Sequence, residues 1–298
     1  MSLLNFMQPV PPEVAIEIDA THVAAARLAW SSSTSTVAAH VVEPLAPGVV
    51  TPALAAANIS DMPALARAIA QALARLGGRV TRAALVIPDT AAKVSLIRFD
   101  KVPPNTADLA ELVRWQVRKS APFPIDQAVI SFTPGIQPAD GGQEFVVTTA
   151  RTDVIEQYEQ ACVQAGLHAG LVDIATFSIL NGVLTAQPAP AGDCLLVHAT
   201  PSYTSLAVLR DGELIYFRNR EEDSEGTLAD VVHQTAMYYE DRLHGAGFSR
   251  VLLAGGAVQG VEAIRRSLEQ RLDVRIEPVS QPDLASLVGI LSRERKVA

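Results

Sequence analysis

One strand-and-helix pattern occurs twice in this chain, and it limits the available folds more than any other feature. Near the start, "VAIEI" (14–18), "HVAAARLAW" (22–30) and "TVAAHVV" (36–42) are short apolar or alternating runs joined by tight connections, as three successive strands are. A second trio reads "CLLVHA" (194–199), "YTSLAVL" (203–209) and "ELIYFRN" (213–219). Its last connection is Asp211-Gly212, a pair that supplies the positive φ angles a two-residue hairpin turn needs. Each trio runs on into a helix and a further strand. The first helix is expected over 61–76, with Ser60 as N-cap, Pro63 in the first turn and Gly77 as the stop. Its apolar stripe is Leu65, Ile69, Leu73 and Leu76, and "AALVIP" (83–88) follows it. The second is expected over 226–244, with Leu228, Val231, Val232, Thr235 and Tyr239 on one face, before "RVLLAGG" (250–256). Two copies of one unit imply a duplicated α/β fold with its ligand crevice between the copies.

The segment between the copies is of another kind. Residues 93–174 read as strand "KVSLIRF", a helix over 106–120, strands "QAVISFTP" and "EFVVTTA", a helix over 152–165 closed by Gly166, and strand "HAGLVDI". This is an α+β insertion with a sheet of its own, after which a helix over 176–186 returns the chain to the first copy. The expected division is an apolar N-terminal segment (1–13), a first half (14–92, completed by 175–192), the insertion (93–174) and a second half (193–298).

Composition and motifs exclude several functions. With 49% hydrophobic and 19% charged residues, 298 residues suffice for a large folded core. A net charge of −8 without a basic block argues against nucleic acid as a ligand. Cys162 and Cys194 stand in no CxxC or metal spacing and read as buried free thiols of a reducing compartment. His22, His40, His168, His198, His233 and His244 form no HExxH-type pair and read as surface residues. No Ser-His-Asp order comes with a nucleophile elbow, and Asp89 and Asp100 read as turn residues. No apolar run approaches the ~20 residues of a membrane span, and the start lacks the basic region of a signal peptide, so the chain is expected in the cytosol. Leu3, Leu4, Phe6 and Met7 form a short apolar segment suited to docking on the protein itself, a partner or a membrane surface. The terminal "RERK" (293–296) reads as a helix end.

Five stretches carry a resemblance: "ALVIPDTAAKVSLIRFD", "LVRWQVRKSAPFPIDQAVISF", "VVTTARTDVIEQYEQACVQAGLHAGLVDIATFSILNGV", "LAVLRDGELIYFR" and "VLLAGGAVQGVEAIRRSLEQRLDVRIEPV". They are similar to the actin-like (RNase H-like) superfamily and, within it, to the PilM family of type IV pilus assembly. The final "DLASLVGILSRER" resembles that family's closing helix, and the insertion is similar to the extra subdomain shared with the cell-division actin homologue FtsA. Coverage is nearly the whole chain, and "RWQVRKSAPFPID" (114–126) is the most particular piece.

In such proteins nucleotide is held by two phosphate hairpins and a glycine pair. Laid on a first hairpin of the form IGIDIGSSS, "VAIEIDATH" (14–22) puts Glu17 at the metal-side acid and Asp19 at the hairpin glycine. Laid on LVDIGAST, "LVHATPSY" (196–203) puts His198 at the acid, Thr200 at the glycine and Pro201 beside it. The pair survives as Gly255-Gly256, which a strand-to-helix turn needs in any case. Glycine lets phosphate oxygens approach backbone N–H groups, and a carboxylate at Asp19 opposes them: two like charges at ~4 Å repel by about 4 kcal/mol at an effective dielectric near 20. Pro201 removes a donor. Between Asn219 and Gly226 only "REEDSE" remains where typical members insert a helical subdomain over the adenine. The resemblance therefore implies an actin-shaped protein without catalytic residues, metal or cofactor, ATP with Mg²⁺ being the alternative.

By the same resemblance the chain is a non-catalytic scaffold. It would capture the cytoplasmic N-terminal peptide of a PilN-like inner-membrane protein, in a groove between the first half and the insertion. Its place would be the cytoplasmic face of the inner membrane, among other pilus or secretion platform components. Arg98, Trp115 and Phe123 are the expected groove residues, Trp and Arg being favoured anchors; the simpler reading of Trp115 is burial against the insertion's sheet. The alternatives are an ATPase or sugar kinase of the superfamily, or a nucleotide-controlled switch, both needing the residues the hairpins have exchanged. Homo-oligomers would form if "MSLLNF" (1–6) entered a neighbour's groove.

Overall fold

The computed structural model describes residues 12–31, 34–138, 140–186, 192–221, 227–255 and 261–293. The N-terminal apolar segment up to residue 11, Gly256, most of the "REEDSE" linker and the end of "RERK" lie outside them.

The first trio forms β1 (Val14–Ile18), β2 (His22–Ser31) and β3 (Thr34–Pro44), each antiparallel to the next. Helix α1 (Met62–Leu76) follows, and β4 (Arg82–Ile87) returns parallel to β1. The helix buries Leu65, Ile69, Ala72, Leu73 and Leu76, the stripe its period announces. Its N-cap is Asp61 and not Ser60: Asp61 Oδ1 accepts from the Ala64 N–H at 2.9 Å, while Ser60 Oγ donates to the Gly48 carbonyl.

The chain then leaves this sheet. Strand β5 (Ala92–Phe99), helix α2 (Thr106–Arg118), and strands β6 (Ala128–Pro134) and β7 (Gln143–Arg151) make a three-stranded antiparallel sheet in the order β5-β7-β6. One face carries Ile97, Phe99, Ile130, Phe132, Phe145 and Val147, on which Val113 and Val117 of α2 pack.

The insertion ends sooner than the sequence suggests. Helix α3 (Thr152–Gln164) buries Val154, Tyr158, Ala161 and Cys162 in the same core as Leu65 and Ile69, and Gln157 Oε1 accepts from the Asn58 and Ile59 N–H groups. Strand β8 (His168–Ile174) pairs in parallel with β4 and completes a first sheet ordered β3-β2-β1-β4-β8. Both elements, expected in the insertion, thus belong to the first half. The reason is burial: α3 covers the same sheet face as α1, and β8 caps an edge that would otherwise expose β4.

After α4 (Ala175–Ala186) the second half repeats the plan with β9 (Asp193–Ala199), β10 (Tyr203–Arg210), β11 (Glu213–Glu221), α5 (Leu228–Leu243), β12 (Arg250–Ala254), α6 (Val261–Leu272), β13 (Ile276–Pro278) and α7 (Ala285–Arg293). Its sheet, β11-β10-β9-β12-β13, matches the first strand for strand. Only residues 222–227 separate β11 from α5, too few for a helical subdomain. Helix α5 starts on a capping box in which Thr227 and Asp230 exchange hydrogen bonds.

The closing helices are exchanged between the halves. Leu284, Leu287, Ile290 and Leu291 at the end of the chain pack on Ala15, Ala24, Ala84 and Val86 of the first sheet. Ile179 and Leu180 of α4 pack on Leu196, Ala207 and Leu252 of the second. The two helices cross at Gly182 and Gly289, where a Cβ on Gly289 would fall 1.7 Å from the Ser178 carbonyl oxygen.

Candidate functional site

Two regions bear on function, the seam between the halves, where Ser202 approaches Asp19, and a groove beside the insertion. The seam, called the cleft below, contains the residues that stand at the nucleotide motifs. In the first turn, Asp19 is buried, its N–H donates to the His22 carbonyl at 2.9 Å, and its Oδ1 accepts from the Ala20 N–H at 2.6 Å. In the second, the Thr200 N–H donates to the Tyr203 carbonyl at 2.9 Å. The Ser202 and Tyr203 N–H groups both donate to Thr200 Oγ1, at 3.2 and 3.0 Å, and Pro201 has no N–H to give. These turn donors already have partners inside the protein. Ser202 Oγ reaches across to Asp19 Oδ1 at 3.5 Å, and the buried Tyr203 ring meets that of His198 edge-on at 5.6 Å between centroids.

Glu17 accepts from Ser286 Oγ of α7 at 2.9 Å. Burial pushes its carboxyl above the usual range, against the opposing pull of His22 and of the Ser286 hydrogen bond. Asp89 is the anchor of the cleft, although its sequence context reads only as a turn. It is fully buried, and its carboxylate accepts from the Thr176 N–H at 2.9 Å, from the Thr176 hydroxyl and from Ser205 Oγ at 2.6 Å. His198 Nδ1 lies 2.9 Å from Thr176 Oγ1 and 3.7 Å from Asp89 Oδ2. Because the Thr176 proton goes to Asp89, Nδ1 of His198 carries the hydrogen of that contact. Burial alone would raise the Asp89 carboxyl; hydrogen bonding and charge from His198, with Ser205 and Thr176, overcome it and hold the group below its ordinary value. His198 is therefore no surface residue, whereas His40, His168, His233 and His244 are exposed.

Gly255 has a structural duty here: its φ is +101°, and a Cβ would lie 1.8 Å from the Ala199 carbonyl oxygen. No group of three or more His, Cys, Asp or Glu is placed to hold a metal ion among the described residues. Cys162 and Cys194 are both buried and free, and burial pushes their thiols up to about 12 and about 11.

The groove is a cavity of about 510 Å³ with three walls. The insertion contributes Val129, Ser131, Thr133, Val146 and Thr148 from the sheet face turned away from α2. The first half contributes Leu171–Ile174 of β8 and Phe177, Leu180 and Leu184 of α4. The third wall, Leu209, Gly212, Glu213 and Leu214, is the β10–β11 hairpin of the second half. β6 and β8 each end their sheets, and the groove runs between them.

Arg98, Trp115 and Phe123 do not line it and are not brought together. Arg98 pairs with Asp140 at 2.9 Å and donates to the Gly141 carbonyl at 3.2 Å. Phe123 packs half-buried against the core beneath α2. Trp115, expected to be buried on the sheet, is 56% exposed, with Lys119 Nζ 3.5 Å from its ring centroid. The helix turns Val113 and Val117 inward, and residue 115 falls on the opposite side of the turn.

No helix among the described residues is long and apolar enough to cross a membrane. Among curated proteins, none matches the chain. Among solved structures, the PilM–PilN type IV pilus biogenesis complex superposes with a TM-score of 0.83 at 18% identity, covering 96% of this chain and 99% of that one. The cytoplasmic domain of EpsL, an inner-membrane component of the type II secretion system of Vibrio cholerae, gives a TM-score of 0.52 at 10% identity, over 96% and 94% of the chains. A Bacteroides thetaiotaomicron protein with an actin-like ATPase fold gives 0.53 at 7% identity, over 95% of each. These likenesses establish the actin-like fold. The family model described as type IV pilus assembly protein PilM matches residues 15–242, and the chain belongs to that family.

Proposed function

We propose that this protein is a non-catalytic scaffold that holds the extended N-terminal peptide of a PilN-like membrane protein in the groove between β6 and β8, at the cytoplasmic face of the inner membrane. The observation that carries the reading is the pair of sheet edges on a mainly apolar cavity. An extended segment laid along either edge gains main-chain hydrogen bonds, and the Val129, Phe177, Leu180 and Leu184 side chains offer pockets for alternate residues. The likeness to a PilM solved together with PilN supports the identity of the partner.

The absence of catalysis is supported by the state of the cleft. The Asp19, Ala20, Thr200, Ser202 and Tyr203 N–H groups of its turns are engaged internally, Asp19 occupies the position of a phosphate-facing glycine, and Asp89, Thr176, His198 and Ser205 form a connected polar core. A polyphosphate would have to displace these contacts before making its own. Calorimetric titration tests both parts. A peptide copied from the cytoplasmic N-terminus of a PilN-like partner is expected to bind at micromolar concentration, and Mg-ATP to give no heat. Tight Mg-ATP binding, or a peptide that binds only with ATP present, would favour the nucleotide-controlled switch.

A further inference from the structure

The outward face of α2 carries its charges in two blocks with an aromatic ring between them. Trp115 is 56% exposed. Asp108 and Glu111 precede it on the same side of the helix, two turns and one turn away, and Arg118 and Lys119 follow one turn later. All four charged residues are exposed. Among the described residues, none of the four enters an ion pair within the chain. The helix dipole by itself favours acids at the start and bases at the end, but it gives no reason to leave a large ring exposed between them. An acid–ring–base order has a further property: reversed end for end, it is complementary to itself.

We propose that this face is an interface between two copies of the chain, in which two α2 helices pack antiparallel about a two-fold axis near Arg114. Such an axis brings the same patch of both copies together. It sets Asp108 and Glu111 of each copy beside the Arg118 and Lys119 end of the other, and Trp115 beside Leu112 and Trp115 of its neighbour. A parallel pair would place like charges together, so the charge order fixes the orientation. The 13 residues of α2 span only about 20 Å, and one helix pair falls short of the ~1,200 Å² at which stable interfaces begin. The dimer is therefore weak, concentration-dependent and sensitive to salt. The groove opens on the opposite face of the insertion's sheet, so both copies keep it accessible.

The experiment is sedimentation equilibrium of the full chain from about 5 to about 500 μM at low salt. The mass is expected to rise from one chain toward two, and to rise less in ~0.5 M salt. Two double variants are compared, Asp108→Lys with Glu111→Lys, and Arg118→Glu with Lys119→Glu. Each alone should stay single, because its face is now of one sign, and an equimolar mixture of the two should dimerise again. That rescue also shows that both variants are folded. Trp115→Ala should weaken the wild-type dimer about tenfold, and deletion of residues 1–8 should leave it unchanged. A wild-type chain that stays single throughout overturns the inference. So does a mixture that fails to recover the dimer, or a dimer lost only when residues 1–8 are removed. A single chain that sediments with phosphatidylglycerol vesicles unless Trp115 is replaced overturns it too, and assigns the face to a membrane.

Discussion

The backbone N–H of Thr176 donates to Asp89 Oδ1 at 2.9 Å, tying the first turn of α4 to the end of β4 inside the protein. Ser205 of the second half donates to the same carboxylate, so one buried side chain joins the first sheet, the exchanged helix and the second sheet. Phe177, the next residue after Thr176, lines the groove.

Asp89→Asn keeps the shape of the side chain but turns an amide toward donors. It is expected to destabilise the protein by about 3 kcal/mol at neutral pH, measured by urea unfolding. The folded-state pKa of Asp89 is lowered, so its contribution is fully present above the unfolded value near 3.8 and is lost as pH falls through the folded one. The gap between wild type and variant should therefore narrow toward pH 3. An unchanged gap would mean that the carboxylate's charge does not stabilise the fold.

Glu17 behaves with the opposite sign. Its folded pKa is raised above 4.5, so the unfolded chain ionises first and the group weakens the fold as pH rises from about 4.5 through the folded value. Glu17→Gln retains an acceptor for Ser286 and removes the buried charge. The variant should melt a few degrees higher than wild type at about pH 8 and lose that advantage near pH 4. A lower melting temperature at pH 8 would show that the ionised carboxylate is held favourably, as a metal-side acid would be.

Val129 and Trp115 separate the two faces of the insertion. Val129 is 44% exposed and lines the groove, whereas Trp115 is exposed on α2 and does not. Val129→Asp is expected to weaken the PilN-type peptide at least tenfold, with stability changed by less than about 1 kcal/mol. Trp115→Ala should leave peptide affinity within about twofold. The reverse result would restore α2 as the partner surface.

The duplication is legible in the sequence because strand alternation and helix period show directly in residues such as Val14–Ile18 and Leu65, Ile69 and Leu73. The family is legible from extended stretches such as "RWQVRKSAPFPID". The end of the insertion is not, because α3 and β8 follow it without a break. Only the second copy, in which α6 and β13 follow β12, shows that a helix and a fifth strand belong to each half. Asp89 is hidden because turn chemistry and a buried anchor look alike when the partners, Thr176 and Ser205, lie 87 and 116 residues away. Trp115 departs from its burial reading for a simpler reason: helical phase, with Val113 and Val117 defining the inward face, already turns it outward. The groove itself cannot be drawn from sequence, since its third wall comes from a hairpin in the other half.

Amide hydrogen exchange with and without the PilN-type peptide, in the absence of nucleotide, tests the central claim most directly. The account predicts new protection at 129–133 on β6 or at 171–174 on β8, the edges beside the cavity, with α2 unchanged around Trp115. Protection confined to α2, or none on either edge while the peptide is bound, would contradict it.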